Sequence, residues 1–381
     1  MPTDPQRFHS ELKEWSRWKH AILREYLKAM AAILRSRELI YYVDGFAGQG
    51  KYAHDKADGS ALLAARHAKD LSFSGRSYAL RCINVEHDAE TFRKLQSSTA
   101  KYEQWVENFY GNFGENLPAI LDRIGEQPTL FFLDPFGLKG LEWDTLLPIF
   151  ERENITELLI RFDGVAARRH TGRDTSHHPT FNAILGVESS EYWQGFLSDC
   201  GRTSQDKQKC LLESYVKRLR KYLPLIATIP IRRSDDHVQY YLIFATRDLK
   251  GIKAMNDVMY KIEDLRDRTL DEERLKRNEP KQKDMFARSS QITLENDLLD
   301  LKNYVLEEMQ GGDSHSREDL RAKIALLDDN LGRYSRSHFT AVLGGSPRGV
   351  QLPNEFQNLR SVIEIHNNRS PGDDKAIISL K

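Results

Sequence analysis

Three short segments hold the residues able to do chemistry. In the first, the apolar run LIYYV (39–43) gives way to Asp44-Gly45-Phe46-Ala47-Gly48-Gln49-Gly50. Glycines in this order, G-x-x-G-x-G, let the backbone approach a ligand closely. The dinucleotide fingerprint has the order G-x-G-x-x-G and opens a helix that receives a pyrophosphate; here a polar loop follows instead. An acid at the strand end suits a positively charged group. S-adenosylmethionine, with an ammonium, a sulfonium and no phosphate, therefore fits better than a nicotinamide dinucleotide. In the second segment, Glu86 ends the run YALRCINVE (78–86), where a carboxylate can accept from both hydroxyls of a ribose. In the third, LFFL (130–133) runs into Asp134-Pro135-Phe136-Gly137. The Asp134 carboxylate and a neighbouring carbonyl can hold an amino group with its lone pair aimed at a methyl donor, while the Phe136 ring stacks on a planar base. This is catalysis by positioning. Each segment also has a plain structural reading: a glycine-rich turn, a helix cap before Asp88, and an Asp-Pro turn beside a core phenylalanine.

The elements around these segments follow from hydrophobic spacing. Leu12, Trp15, Trp18, Ile22, Leu23, Tyr26, Leu27 and Ile33 recur every three or four residues, which predicts a helix over 9–36. LIYYVDG (39–45) predicts a buried parallel strand. Helix and strand then alternate: GSALLAARHA (59–68), YALRCINVE, DAETFRKLQSSTAKYEQW (88–105), VENFYGNF (106–113), ENLPAILDRI (115–124), PTLFFLDPFG (128–137), LEWDTLLPIFER (141–152) and TELLIRFDG (156–164). Such alternation predicts a Rossmann-like, doubly wound α/β sheet with its ligand at the carboxyl ends of the strands. After a helical stretch (207–222), LIATIPIRR (225–233) and VQYYLIFATR (238–247) are too close for a parallel crossover, so a terminal antiparallel hairpin is expected.

Residues 251–287 begin with helical spacing of Met255, Val258, Met259 and Ile262 and become heavily charged toward Pro280, as a helix end and linker do. A first domain over 1–287 and a separate module over 291–381 are expected. Within the module, helices are predicted at 292–309, at 316–327 with a Ser316 cap, and at 335–345 with a Gly-Gly stop. This order suggests a winged helix-turn-helix whose wing follows Pro347. Arg333, Arg336 and Arg348 then offer phosphate contacts. The module holds 11 basic and 14 acidic residues, so a protein-docking role stays open beside a DNA-reading one.

The 381 residues carry 56 basic and 56 acidic side chains, so a nucleic-acid surface must be a local patch. One such stretch, RFDGVAARRHTGR (161–173), sets Arg161, Arg168, Arg169 and Arg173 against Asp163 alone; Lys19 or these arginines are candidates to contact a phosphate-bearing substrate. No apolar run is long enough to span a bilayer, and the polar start MPTDPQRFHS lacks a secretory layout. Cys82, Cys200 and Cys210 have no metal-ligand spacing and are read as packing residues, with no metal site and a cytoplasmic location.

YYVDGFAGQGKY, INVEHDAETFRKL, LFFLDPFGLKGLEW and YYLIFATR together resemble the three-Cys-motif partner family, as does Lys19-His20 with ILREYL (22–27). The likeness covers about 15 to 265, and more loosely the C-terminal module. The resemblance implies a class I S-adenosylmethionine-dependent methyltransferase fold and a radical-S-adenosylmethionine-like partner protein that carries the cysteines of the family name. It implies a cofactor loop at Asp44, Gly45, Phe46, Gly48 and Gly50, a ribose acid at Glu86, and adenine contacts at Asn112 and Phe113. Asp134-Pro135-Phe136 resembles the Asp-Pro-Pro-aromatic motif of amino-methylating DNA and RNA enzymes, without its second proline. Methylation of a nitrogen on a nucleic-acid base or another amine is the expected reaction. The alternative is a non-catalytic cofactor-binding sensor or accessory subunit of a mobile-element or defence system.

Overall fold

The computed structural model describes residues 14–52, 57–74, 79–163, 178–187, 204–232, 238–276, 283–310, 312–327, 330–347, 356–367 and 369–381. Two compact units divide the chain, Met1–Asp248 and Leu249–Lys381. Among the described residues no helix is long and apolar enough to cross a membrane.

The first unit is built on a seven-stranded sheet. Its elements in order are α1 (Glu14–Ile33), β1 (Leu39–Asp44), α2 (Ser60–Ser72), β2 (Ala79–Glu86), α3 (Ala89–Thr99), β3 (Val106–Tyr110), α4 (Phe113–Ile124), β4 (Thr129–Leu133), α5 (Trp143–Phe150), β5 (Thr156–Phe162), α6 (His178–Leu185), α7 (Ser204–Leu219), β6 (Leu225–Arg232) and β7 (Val238–Thr246). The strand order is β3-β2-β1-β4-β5-β7-β6. Neighbours from β3 to β5 are parallel. β7 runs antiparallel to both β5 and β6. The expected hairpin is thus present, and its second strand is inserted between the first and the rest of the sheet. Every residue of β4 and β5 is buried, as strands covered on both faces must be.

Alternation sends successive side chains to opposite faces. Tyr41, Val43, Phe131, Leu133, Leu158, Ile160 and Phe162 join one core cluster with Phe113 and Leu117 of α4, Trp143 of α5 and Tyr215 of α7. On the opposite face, Tyr26 of α1 meets Phe244 edge-on at 4.8 Å and its hydroxyl donates to Glu157 at 2.8 Å. Ile22, Leu23, Tyr26, Leu27, Met30 and Ala31 form the buried stripe of α1. Burying each large apolar side chain contributes about 1.5–3 kcal/mol relative to leaving it exposed. The strand expected over 106–113 stops at Tyr110. Gly111 turns with φ 116° and α4 starts at Phe113 with Asn112 as its N-cap residue.

The second unit holds α8 (Leu249–Lys276), α9 (Lys283–Met309), β8 (His315–Ser316), α10 (Arg317–Ala325), α11 (Arg336–Val342), β9 (Ile363–Ile365) and β10 (Ile377–Leu380). Its three strands are antiparallel, in the order β8-β10-β9. Residues 249–276, placed by the sequence at the end of the first domain, belong here. The Asn256 side chain donates to Tyr334 O and accepts from Gly332 N, and Asp257 pairs with Arg321. Ser316 caps α10 as expected, accepting from Asp319 N at 3.0 Å.

The helix expected over 335–345 is shorter, and His338 to Val342 of α11 are buried. Arg317 and Arg321, at 0% and 1% exposure, both reach the Asp374 carboxylate, at 3.1 and 3.3 Å. These buried guanidinium groups fix the β9–β10 connection against α10.

Of the two cysteines described, Cys82 is a buried free thiol and Cys210 is disulfide-bonded. Cys210 packs against the core cluster as expected; the disulfide is what the reading of all three as packing cysteines left out.

Candidate active site

The carboxyl ends of β1, β2, β4 and β5 converge. β1 and β4 are direct neighbours, with Asp44 opposite Phe132, and Gly45 N donates to Phe132 O at 3.0 Å. The loop after β1 then crosses to β2: Ala47 N donates to Val85 O at 2.9 Å, and Gly48 N donates to Glu86 Oε2 at 3.0 Å. Gly48 and Gly50 have φ of 62° and 79°, a left-handed region that a side chain makes costly. The opposite side of the loop is held by Ser98, whose hydroxyl donates to Gln49 O at 3.1 Å.

Asp44 is fully buried. Its carboxylate accepts from Phe46 N at 3.2 Å and from the Tyr42 hydroxyl at 3.1 Å. Burial pushes its pKa up to about 6, against hydrogen bonds from Ser60 and Phe46 that favour the charged form. Asp44 thus shapes the loop from beneath. Phe46 packs on Phe113, centroids 5.9 Å apart, and its ring lies where a Cβ on Gly140 would fall, 2.6 Å from Cζ.

Glu86 is buried as well. Its second oxygen accepts from Asp88 N at 2.8 Å. Oε1 also lies 3.2 Å from His87 Nδ1, so Oε2 is the oxygen that keeps a further lone pair for a ligand hydroxyl. Asn112 does not cap α4 with its side chain; its amide donates to Glu115 Oε1 at 3.1 Å. Phe113 is a core residue, so only its backbone can face a ligand. Tyr110, at the end of β3, is 56% exposed with its ring 5.3 Å from Phe92. Its signal in the sequence is an aromatic at a strand end beside Asn112.

The Asp134 carboxylate is the centre of a buried charge cluster. Lys19 of α1 pairs with its Oδ2. Arg161 of β5 approaches Oδ1 at 3.5 Å and Pro135 O at 3.5 Å, and pairs with Asp163 at 3.0 Å. Arg161 also lies over the Tyr240 ring at 4.6 Å. Two cations meet two carboxylates here, which is how buried charges are tolerated. Burial alone would raise the Asp134 pKa, but Lys19 and Arg161 hold it below the usual carboxylate range. Burial lowers the pKa of Lys19, against the pull of Asp134. His20, buried beside it, is pushed down to about 3 by burial and by the Lys19 charge, and its Nδ1 has no hydrogen-bond partner among the described residues. Phe136 stands 58% exposed next to this cluster in sequence.

The structure therefore gathers Lys19, Asp44, Glu86, Asp134 and the loop glycines at one end of the sheet. Arg161, read as a surface phosphate contact, is instead buried in the cluster. Arg168 and Arg169 lie outside the described residues, as does Arg348. In the second unit Arg333 is paired with Asp297 and Asp300, both at 2.7 Å, and Arg336 donates to Gly372 O at 3.1 Å.

No family model matches the chain, and no curated protein matches it. The resemblance to three-Cys-motif partner proteins thus stands on its motifs alone. Solved structures similar to part of the chain include the O-methyltransferase TomG of Streptomyces achromogenes in complex with S-adenosylmethionine. It is 15% identical, covers 59% of this chain and 79% of its own, and has a TM-score of 0.32. An O-methyltransferase of Bacillus cereus in complex with S-adenosylhomocysteine is 11% identical over 58% of this chain and 80% of its own, with a TM-score of 0.32. Protein LPL1258 of Legionella pneumophila is 10% identical over 60% of this chain and 84% of its own, with a TM-score of 0.34. At such scores these are likenesses, and no residue of the site is assigned from them.

Proposed function

We propose that the first unit is an S-adenosylmethionine-dependent methyltransferase that modifies a nitrogen, with nucleic acid as first-choice substrate and a three-Cys-motif protein as partner. One observation carries the cofactor reading: the Gly48 amide closes on the Glu86 carboxylate across 38 residues of sequence. A glycine loop and a ribose-binding acid are thereby joined at the carboxyl ends of adjacent parallel strands, where α/β sheets bind ligands. The loop backbone from Gly45 to Gly50, Glu86 and the Asn112 side chain would hold the cofactor, which supplies an activated methyl group when bound. Asp134 would hold the acceptor nitrogen and Phe136 would stack on its ring system.

The accessory-subunit reading draws on a different observation. Lys19 and Arg161 engage the two Asp134 oxygens, and Arg161 also reaches Pro135 O, so the acceptors that a substrate amine needs are already in use. A labelled-methyl transfer screen over DNA, RNA and protein, with and without the partner, separates the two. Transfer that is lost in Asp134→Asn supports the enzyme. S-adenosylhomocysteine binding without transfer to any of the three supports the accessory subunit. For the second unit, we propose a winged-helix module that docks protein, because Arg333 is neutralised by acids of its own unit.

A further inference from the structure

The Asp134-Pro135-Phe136 segment was expected to hold an amino group, and the structure does show one there: the Nζ of Lys19, paired with Asp134 Oδ2. Resting on the methyltransferase reading above, we propose that Lys19 is itself a methyl acceptor, so that the chain modifies its own α1 helix. Lys19 lies at the amino-terminal end of α1, and Asp134 directly follows β4, the neighbour of β1. Asp44 ends β1 and is close enough for its charge to act on Lys19. The amine therefore stands on Asp134, at the same end of the sheet as the proposed cofactor loop.

Its surroundings suit a nucleophile. The side chain is 6% exposed, with Nζ 5.9 Å from the centre of the Phe132 ring and the guanidinium of Arg161 sharing the same carboxylate. Burial and a neighbouring cation both favour the neutral amine, which alone has a lone pair to give. The step balances without any other reagent. The Lys19 ammonium releases one proton to solvent, while Asp134, held below the usual carboxylate range, stays charged. Its Nζ lone pair then bonds the methyl carbon as the carbon–sulfur bond of S-adenosylmethionine breaks. The sulfur keeps the electron pair, leaving neutral S-adenosylhomocysteine, and Lys19 becomes a methylammonium that retains its pairing with Asp134.

Peptide mass mapping of the full chain, as purified and after incubation with labelled S-adenosylmethionine, is the test. The expected result is one or more added methyl groups on Lys19, absent from Lys19→Arg and lost in Asp134→Asn. Calorimetry with S-adenosylhomocysteine on the same proteins shows that the variants are folded and load the cofactor. Cofactor binding by the wild type with Lys19 unmodified in both samples overturns the inference and leaves the methyltransferase reading standing, as does label confined to other residues. No binding of S-adenosylhomocysteine removes that reading and the inference with it.

Discussion

Glu157 offers a quantitative test of how α1 is fixed to the sheet. It lies near the start of β5, away from the carboxyl ends, and accepts from the Tyr26 hydroxyl at 2.8 Å and the Thr246 hydroxyl at 3.4 Å. Burial pushes its pKa from an ordinary 4.5 up to about 7, with the charge of Asp248 adding to the rise and the two hydroxyls opposing it. A carboxyl with a raised folded-state pKa contributes stability that is complete below its unfolded value and lost as pH climbs through the folded one. Between about pH 5 and pH 8.5 this group should therefore withdraw roughly 2.5 kcal/mol from the folded state. Glu157→Gln is a neutral isostere whose carbonyl can still accept from Tyr26. Other titrating groups, such as Asp44 and His20, are common to both proteins and cancel in the difference between variant and wild type. Urea unfolding of the full chain, followed by tryptophan fluorescence, should show the variant gaining on the wild type by that amount at high pH. For a slope of about 2–3 kcal/mol/M this is roughly 1 M in midpoint. A difference that is the same at both pH values would refute the reasoning, since Glu157 would then be charged in the fold throughout.

Three other predictions address packing and charge. Gly140→Ala would drive a Cβ to 2.6 Å from Phe46 at a φ of 92°; a loss of about 1–3 kcal/mol in unfolding free energy is expected, together with weaker S-adenosylhomocysteine binding because Phe46 belongs to the loop. Asp374→Ala strands Arg317 without a carboxylate, while Arg321 keeps Asp257, and should lower the melting temperature of the second unit in calorimetry, at a cost of about 3–5 kcal/mol. Arg333→Ala should leave any gel-shift affinity for DNA unchanged, since its guanidinium is paired with Asp297 and Asp300, and should change stability by less than about 1 kcal/mol; a steep loss of salt-dependent binding would show that Arg333 contacts phosphate after all.

What the sequence made legible were features written locally. The stripe from Ile22 to Leu27 and the unbroken apolar runs of β1, β4 and β5 follow directly from spacing and burial. So do the Ser316 cap and the hairpin formed by 225–247. Features that depend on distant partners were not legible. Spacing shows that β6 and β7 pair, but not that β7 inserts beside β5, because Ile160 meets Ile243 only through the tertiary fold. Lys19 and Asp134 are 115 residues apart, and no pattern near either one announces the pair. Arg161 looked like one of four loop arginines; its place as the last residue but one of a fully buried strand is what takes it inside. The charge run toward Pro280 reads only as a helix end and linker; nothing local shows that Asp257 with Arg321, and Lys253 with Glu318, tie α8 to α10.

The central claim is that the loop after β1 and Glu86 form one cofactor site, and titration calorimetry with S-adenosylhomocysteine tests it most directly. The wild-type chain should bind, while a nicotinamide dinucleotide should give no heat. Glu86→Ala should weaken binding by roughly ten- to a hundredfold, as the loss of hydrogen bonds from a charged acceptor, about 1.5–3 kcal/mol, requires. Unchanged affinity in Glu86→Ala, or binding of the dinucleotide in place of S-adenosylhomocysteine, would contradict the account.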